Sequence, residues 1–180
     1  MKKIILISGK AQHGKDTFAE LLERELHQKG YSIVVDRFAK YIKGYLRDYY
    51  KWDGVTKDEQ IRQKLQTLGT ERIKENLNYK SFHAKRLTVD FQIVQDDFDY
   101  FLVPDTRFPD EIYTFKAMFP NEVVTLRIER DGFTGGLTEE QLQHKSEIGL
   151  DDFKFDWLIK NNGTLEDLKN EVNIFIKHNL

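Results

Sequence analysis

The sequence predicts an α/β fold: a parallel five-stranded sheet with helices on both faces. Three observations carry this. Five short apolar runs alternate with stretches of helical periodicity along nearly the whole chain. The first run, Lys2 to Ser8, leads directly into Gly9-Lys10-Ala11-Gln12-His13-Gly14-Lys15-Asp16-Thr17, a loop with Gly at both ends and a Lys at the start of a helix. The length, 180 residues, suits one domain with a sizeable core.

Each element has its own signal. Phe18, Leu21, Leu22 and Leu26 repeat with the spacing of one helix face, and Gly30 marks the end of that helix. Tyr31 to Val35 reads as the second strand, and Phe38, Ile42, Tyr45 and Leu46 as a helix after it. Trp52 to Thr56 reads as a loop. Lys57 to about Asp97 is polar and helical, with Ile61, Leu65, Leu68 and Ile73 on one face. Tyr100-Phe101-Leu102-Val103 is the third strand, expected to stop at Pro104. Ile112, Phe115 and Met118 suit a helix closed by Pro120, and Glu122 to Ile128 is the fourth strand. Asp131 to Gly149 is polar and Gly-containing, which suits a mobile cover. Phe155 to Ile159 is the fifth strand. Thr164 and Asp167 form a capping-box pattern, followed by a last helix with Leu165, Leu168, Val172, Phe175 and Ile176 on one face.

Composition narrows the class. A net charge of -2 argues against a general nucleic-acid binder, which is usually strongly basic. With no cysteine, neither a disulfide framework nor a Cys-based zinc site is available. Ile4 to Ile7 is too short for a signal-peptide core or a membrane span, so a soluble, cytoplasmic protein is expected. The many Tyr and Phe residues suit a homodimer surface, although core burial accounts for them equally well.

The strand, Gly-flanked loop, Lys and helix constitute a phosphate-binding P-loop. Loop N–H groups and the helix N-terminus converge on one point and favour an anion there. Gly9 and Gly14 let the backbone approach it. Lys15 is placed to set its ammonium between the outer phosphates of a nucleotide. The usual Ser or Thr after the Lys is replaced by Asp16, a hard-oxygen ligand for Mg2+ either directly or through water, and Thr17 is then placed for an inner phosphate. A Gly-rich strand-to-helix turn with no ligand is the competing reading. His13 is expected to face solvent or the nucleotide. In a parallel sheet of this kind ligands bind at the carboxyl ends of the strands. Three polar segments end at that edge: those after Trp52, Val103 and Ile128.

These residues carry a family resemblance. Gly14-Lys15-Asp16-Thr17, Arg62 through Gln66-Thr67-Leu68-Gly69-Thr70, Val103-Pro104-Asp105-Thr106-Arg107 and Asp156 through Gly163 resemble the deoxynucleoside monophosphate kinases, a branch of the P-loop nucleoside monophosphate kinases. The P-loop, the Asp105-Thr106-Arg107 turn and the segment Glu147 to Phe153 are also similar to animal-type phosphomevalonate kinase. The Leu-Gly-Thr segment favours the nucleotide branch. The resemblance implies one P-loop kinase domain over 1–180, with an acceptor-binding helical insert at about 38–97 and a lid at about 131–149. It implies ATP and Mg2+, a small phosphorylated acceptor, and no nucleic-acid polymer or membrane as partner.

It also implies roles. Gly9 to Thr17 would hold ATP, and Asn161, Asn162 and Gly163 would read adenine through the backbone, a plain turn before the last helix being the alternative. Lys15 would bridge the transferring phosphate, with Mg2+ near Asp16. Asp105, at a strand end, would hold a metal-bound water or the acceptor, or cap the turn. Arg107 would contact the acceptor phosphate or form a structural ion pair. Arg37, at a strand end, would reach a monophosphate, and Lys43 would do the same or stand as a solvated helix residue. Arg62, Gln66 and Thr70 lie at i, i+4 and i+8 on one helix face, where Arg suits a phosphate and Gln the paired donor and acceptor of a base. Arg130 would neutralise the transition state from the lid or form a surface ion pair. Arg127 belongs to the strand, and Lys85 and Arg86 read as a solvated basic pair. His144 lacks companions at metal-ligand spacing, so no zinc site is expected. A nucleotide-dependent switch is a third class. It lacks the guanine-reading Asn/Thr-Lys-x-Asp pattern, since Thr56-Lys57-Asp58-Glu59 ends in the wrong residue.

Overall fold

A computed structural model describes residues 3–56 and 58–180. Lys2 and Lys57, the predicted first residues of the opening strand and of the helical insert, lie outside the described residues. The central strand β1 (Lys3–Ser8) is flanked by β3 (Tyr100–Thr106) and β4 (Val123–Glu129), with β2 (Ile33–Val35) and β5 (Trp157–Lys160) outside them. The order is β2-β3-β1-β4-β5 and every pairing is parallel.

Strands buried on both faces need apolar residues on both, which explains the unbroken run in β1. Ile5 and Ile7 join one core with Phe18, Leu22 and Leu26 of α1 (Lys15–Gln28) and Val172 and Phe175 of α8 (Leu165–Asn179). Ile4 and Leu6, pointing the other way, join Leu87 and Phe91 of α4 (Phe82–Val94) and Ile112 and Phe115 of α5 (Pro109–Met118). Every β1 apolar side chain is fully buried. Thr164 caps α8 as expected: its Oγ1 accepts from the Asp167 N–H, while the Asp167 carboxylate takes the Thr164 N–H and hydroxyl.

Pro104 does not end β3. The strand runs on to Thr106, and the register with β1 shifts between Leu6↔Val103 and Ser8↔Thr106. β3 therefore carries one residue more than β1 across this stretch, a bulge at Pro104-Asp105. A bulge is where a residue without an N–H fits a sheet.

The helical segment after β2 consists of α2 (Lys40–Tyr50), α3 (Glu59–Gln66) and α4, with a π-helical stretch at Thr67–Asn76 continuing α3. The loop at 52–56 is held by Trp52, which is buried and donates its indole N–H to the Thr56 carbonyl at 2.7 Å. The polar segment after β4 is more ordered than its composition suggests. It contains two short helices, α6 (Glu139–Leu142) and α7 (Lys145–Ile148), capped by Thr138 and His144. No helix among the described residues is long and apolar enough to cross a membrane.

Candidate active site

The loop after β1 is shaped by backbone conformations that favour glycine. Gly9 has φ +149, and a Cβ there would collide with the Ile128 carbonyl of β4. Gly14 has φ +99 and lies against the Asn161 amide. No side chain caps α1, so its first N–H groups are not taken by a capping residue. Lys15 is buried and its Nζ donates to the Lys10 carbonyl at 2.6 Å. Burial, aided by the nearby Arg107 charge, pushes the Lys15 ammonium down to about 8. Asp16 is exposed and its Oδ1 accepts from Arg37 Nη2 at 2.7 Å.

One cleft of about 560 Å³ opens beside this loop. It is lined by Ala11, Gln12, Lys15 and Asp16 from the loop and α1, and by Arg37 and Lys43 after β2. Arg62, Gln66 and Thr70 come from α3 and the π-helical stretch, and Asp105 and Arg107 from the end of β3. The predicted Arg62-Gln66-Thr70 face thus meets the P-loop, although the helix changes from α to π within it. A π-helix has more than four residues per turn, so the i, i+4 alignment survives the change.

Asp105 is committed to the backbone. Its two oxygens accept the N–H groups of Phe38 and Ala39 at 3.0 and 2.9 Å, fixing the chain that enters α2. Burial raises its pKa, with those N–H groups acting in the opposite sense. Arg107 reaches α7: its Nη1 donates to the Ser146 carbonyl at 3.0 Å and pairs with the Glu147 carboxylate.

Glu147, to which sequence reasoning assigned no role, joins the P-loop to Arg107. Its Oε2 accepts the Ala11 N–H of the P-loop at 2.8 Å while its Oε1 faces Arg107. A loop N–H and a guanidinium are also the kinds of donor that hold phosphate oxygens. A second missed group lies under the cleft. Lys74 is buried over the Phe108 ring at 3.6 Å and pairs with Asp110 and Glu111. Burial pushes Glu111 up to about 7, and its Oε2 accepts the N–H groups of Arg107 and Phe108. A third is His83, buried on α4 and lining the cleft. Its spacing to Leu87 and Phe91 put it on a core-facing stripe, which was the available signal. Glu147 and Lys74 had no such signal, because their partners are distant in sequence.

Other predicted residues lie elsewhere. Arg130 does not line the cleft; its guanidinium lies over the Phe133 ring at 4.4 Å. Asn161 donates its amide to the His13 carbonyl at 3.0 Å, Asn162 pairs with Asp131, and Gly163 packs against Asp167. None of the three lines the cleft. These segments directly follow β4 and β5, on the far side of β1 from β3 and β2, whereas Leu137, Gln141, Ser146 and Glu147, further along the chain after β4, do line the cleft. His13 faces neither solvent nor the cleft. It is buried, its Nδ1 accepts the Arg130 N–H at 3.0 Å, and its Nε2 lies 3.1 Å from the Phe133 carbonyl. With Nδ1 accepting, the proton belongs on Nε2. Thr17 is half-buried on α1 outside the cleft lining. Arg127 is buried, donating to the Leu150 carbonyl and pairing with Glu129 and Asp151.

This geometry has relatives. The fold is similar to that of the APS kinase CysC of Mycobacterium tuberculosis solved with AMPPNP and APS, with a TM-score of 0.54 at 14% identity, covering 98% of each chain. It is also similar to the dephospho-CoA kinase of Campylobacter jejuni, with a TM-score of 0.51 at 18% identity, covering 98% of this chain and 96% of that one. At these identities the likeness speaks for the fold alone, an α/β P-loop fold. In sequence, the chain is 32% identical over 113 residues to the deoxynucleotide monophosphate kinase of Escherichia phage RB69. That match takes in 62% of this chain and 43% of the relative's length. Residues 52–172, which run from the helical segment beside the cleft through β5 into α8, match the deoxynucleotide monophosphate kinase family model, and the chain belongs to that family.

Proposed function

We propose that the protein transfers the terminal phosphoryl group of ATP to a deoxynucleoside 5′-monophosphate, giving ADP and the deoxynucleoside diphosphate. The observation that carries this is the single cleft in which a P-loop lysine faces a wall bearing Arg37, Arg62 and Arg107. A donor triphosphate and a phosphorylated acceptor need two anion sites within one enclosure, and membership in the family supplies the class of acceptor.

The residues divide the work. The loop N–H groups and Lys15 bind the donor phosphates. Donor binding takes the Ala11 N–H from Glu147 and releases the Arg107 guanidinium to the acceptor phosphate, so the lid and the phosphates exchange partners. Arg37, Lys43 and Arg62 hold the acceptor phosphate. Its oxygen attacks the terminal phosphorus of ATP as the bond to the bridging oxygen breaks, and ADP leaves with that oxygen. Asp105 positions the entry to α2, and hence Arg37, through its two backbone bonds. Asp16 is the one carboxylate beside Lys15 in the loop, which suits a cation that takes its other ligands from phosphate and water. Mg2+ held there would neutralise charge on the phosphates. The loop at Asn161 to Gly163 is on the donor side of β1 and remains the adenine-reading element of this proposal.

The test is ADP release from Mg-ATP against a panel of the common deoxynucleoside monophosphates, AMP and phosphomevalonate. Stimulation by one or more deoxynucleotides is expected. Stimulation by phosphomevalonate alone, or hydrolysis indifferent to every acceptor, would overturn the reading.

A further inference from the structure

His83 is 2% exposed, yet neither ring nitrogen has a hydrogen-bond partner among the described residues. It is the one buried side chain there in this condition. Buried polar atoms are nearly always paired, so an imidazole with both nitrogens unmet is a functional signal when it borders a ligand cleft. His83 does: it lines the same cleft as Gln66, Gly69 and Thr70.

The ring is held in place. Tyr41 stacks parallel to it, 12° from coplanar with centroids 6.5 Å apart, and Phe82 meets it edge-on at 5.2 Å. Tyr41 is itself fixed, donating its hydroxyl to Asp90 at 2.7 Å. Burial, with the Lys74 and Arg86 charges adding to it, pushes His83 down to about 4. The Gly69 carbonyl acts in the opposite sense without reaching hydrogen-bonding geometry with either nitrogen. The imidazole is therefore neutral at working pH, with one donor and one acceptor.

A neutral ring is a poor phosphate ligand, and the cleft already has arginines for that purpose. What suits it is a flat, uncharged ligand edge that both gives and takes a hydrogen bond. We propose that His83 is a base-reading residue of the acceptor site, where its imidazole and the Gln66 amide of the same cleft recognise the hydrogen-bonding edge of the acceptor's nucleobase. The proposal rests on the reading of the cleft as a nucleoside monophosphate site and adds to it the residue that selects among bases. Filling a site built for hydrogen bonds with a base that cannot make them leaves buried groups unpaired, which is how such sites discriminate.

The experiment compares wild type, His83→Phe and His83→Gln across the four common deoxynucleoside monophosphates, with kcat/KM for each and KM for ATP. His83→Phe keeps a flat ring and removes both polar atoms. It should lower kcat/KM for the preferred acceptor at least tenfold and compress the ratio between best and worst acceptor, leaving KM for ATP within about twofold. His83→Gln restores a donor and an acceptor and should recover part of the ratio. A purely structural role would instead scale all four acceptors together. Scaling of that kind, or an unchanged ratio and acceptor KM, overturns the proposal while the kinase reading stands. If wild type turns over no deoxynucleotide, the kinase reading fails and the proposal fails with it. Should His83→Phe not fold, His83→Leu decides, since a compressed base ratio supports the proposal and a ratio equal to that of wild type overturns it.

Discussion

In the proposed reading the cleft has a donor end and an acceptor end, and the two are built by different means. The donor end lies within nine consecutive residues, Gly9 to Thr17, at the junction of β1 and α1, of which Ala11, Gln12, Lys15 and Asp16 line the cleft. Its shape comes from local backbone conformation, with positive φ at Gly9, Gln12 and Gly14 and α1 left without a side-chain cap. The acceptor end is gathered from six places: the turn after β2, α2, α3, the π-helical stretch, the start of α4 and the bulged end of β3. Neither end is independent of the segment after β4, because Glu147 from α7 accepts the Ala11 N–H and pairs with Arg107. A site made from one contiguous loop is fixed in its chemistry. A site made from several packed elements can be retuned one side chain at a time, which is where selectivity belongs.

This contrast can be broken in four ways, in descending order of effect. Lys15→Ala should cut kcat for every acceptor about 10³-fold, as expected for removing a preorganised charge beside the transferring group. Steady-state ADP release measures it, and near-normal turnover would end the P-loop assignment. The second probe is pH. Lys15 in the free protein is pushed down to about 8, and bound phosphates must pull it back up. Below that value Lys15 is already charged and ATP affinity should be flat. Above it, binding requires proton uptake, so Kd for ATP should rise by up to about tenfold per pH unit. Calorimetry in two buffers of different ionisation enthalpy would detect the proton, and a flat profile from pH 7 to 9.5 would refute it.

The third probe acts only on the acceptor end. Arg62→Ala should raise acceptor KM about tenfold through loss of a charge-assisted bond, with KM for ATP unchanged. A comparable rise in both constants would mean that the two ends are not separable. The last is the smallest. Glu147→Gln removes a negative charge from the proposed phosphate position and should tighten ATP by about threefold, near 0.6 kcal/mol. Weaker ATP binding would show that Glu147 supports the loop more than it competes with phosphate.

The strands, their parallel arrangement and the P-loop were legible because each is encoded by neighbours in the chain. The apolar run of β1 announces burial on both faces, and Gly9, Gly14 and Lys15 sit at fixed spacing. The capping box at Thr164 is equally local. The reading of Pro104 as a stop failed because a bulge, formed only when β3 pairs with β1, gives proline a place. Arg130 and Asn161 to Gly163 were placed at strand ends correctly enough. Whether a strand end faces the cleft, however, depends on lateral order, which no periodicity records.

By itself, then, the sequence determined the α/β class, the phosphate loop and the residue types able to handle two phosphorylated ligands. Tertiary structure decided which of them meet. Strand order β2-β3-β1-β4-β5 put Arg37, Arg62 and Arg107 on the cleft side of the P-loop and Arg130 outside it. It brought Glu147 to a loop 136 residues away and left His83 unpaired at the cleft wall. The physical reason is range. Backbone conformation and helix or strand periodicity are set within a few residues, whereas desolvation, ion pairing and unmet hydrogen bonds depend on which distant segments the packed core presses together.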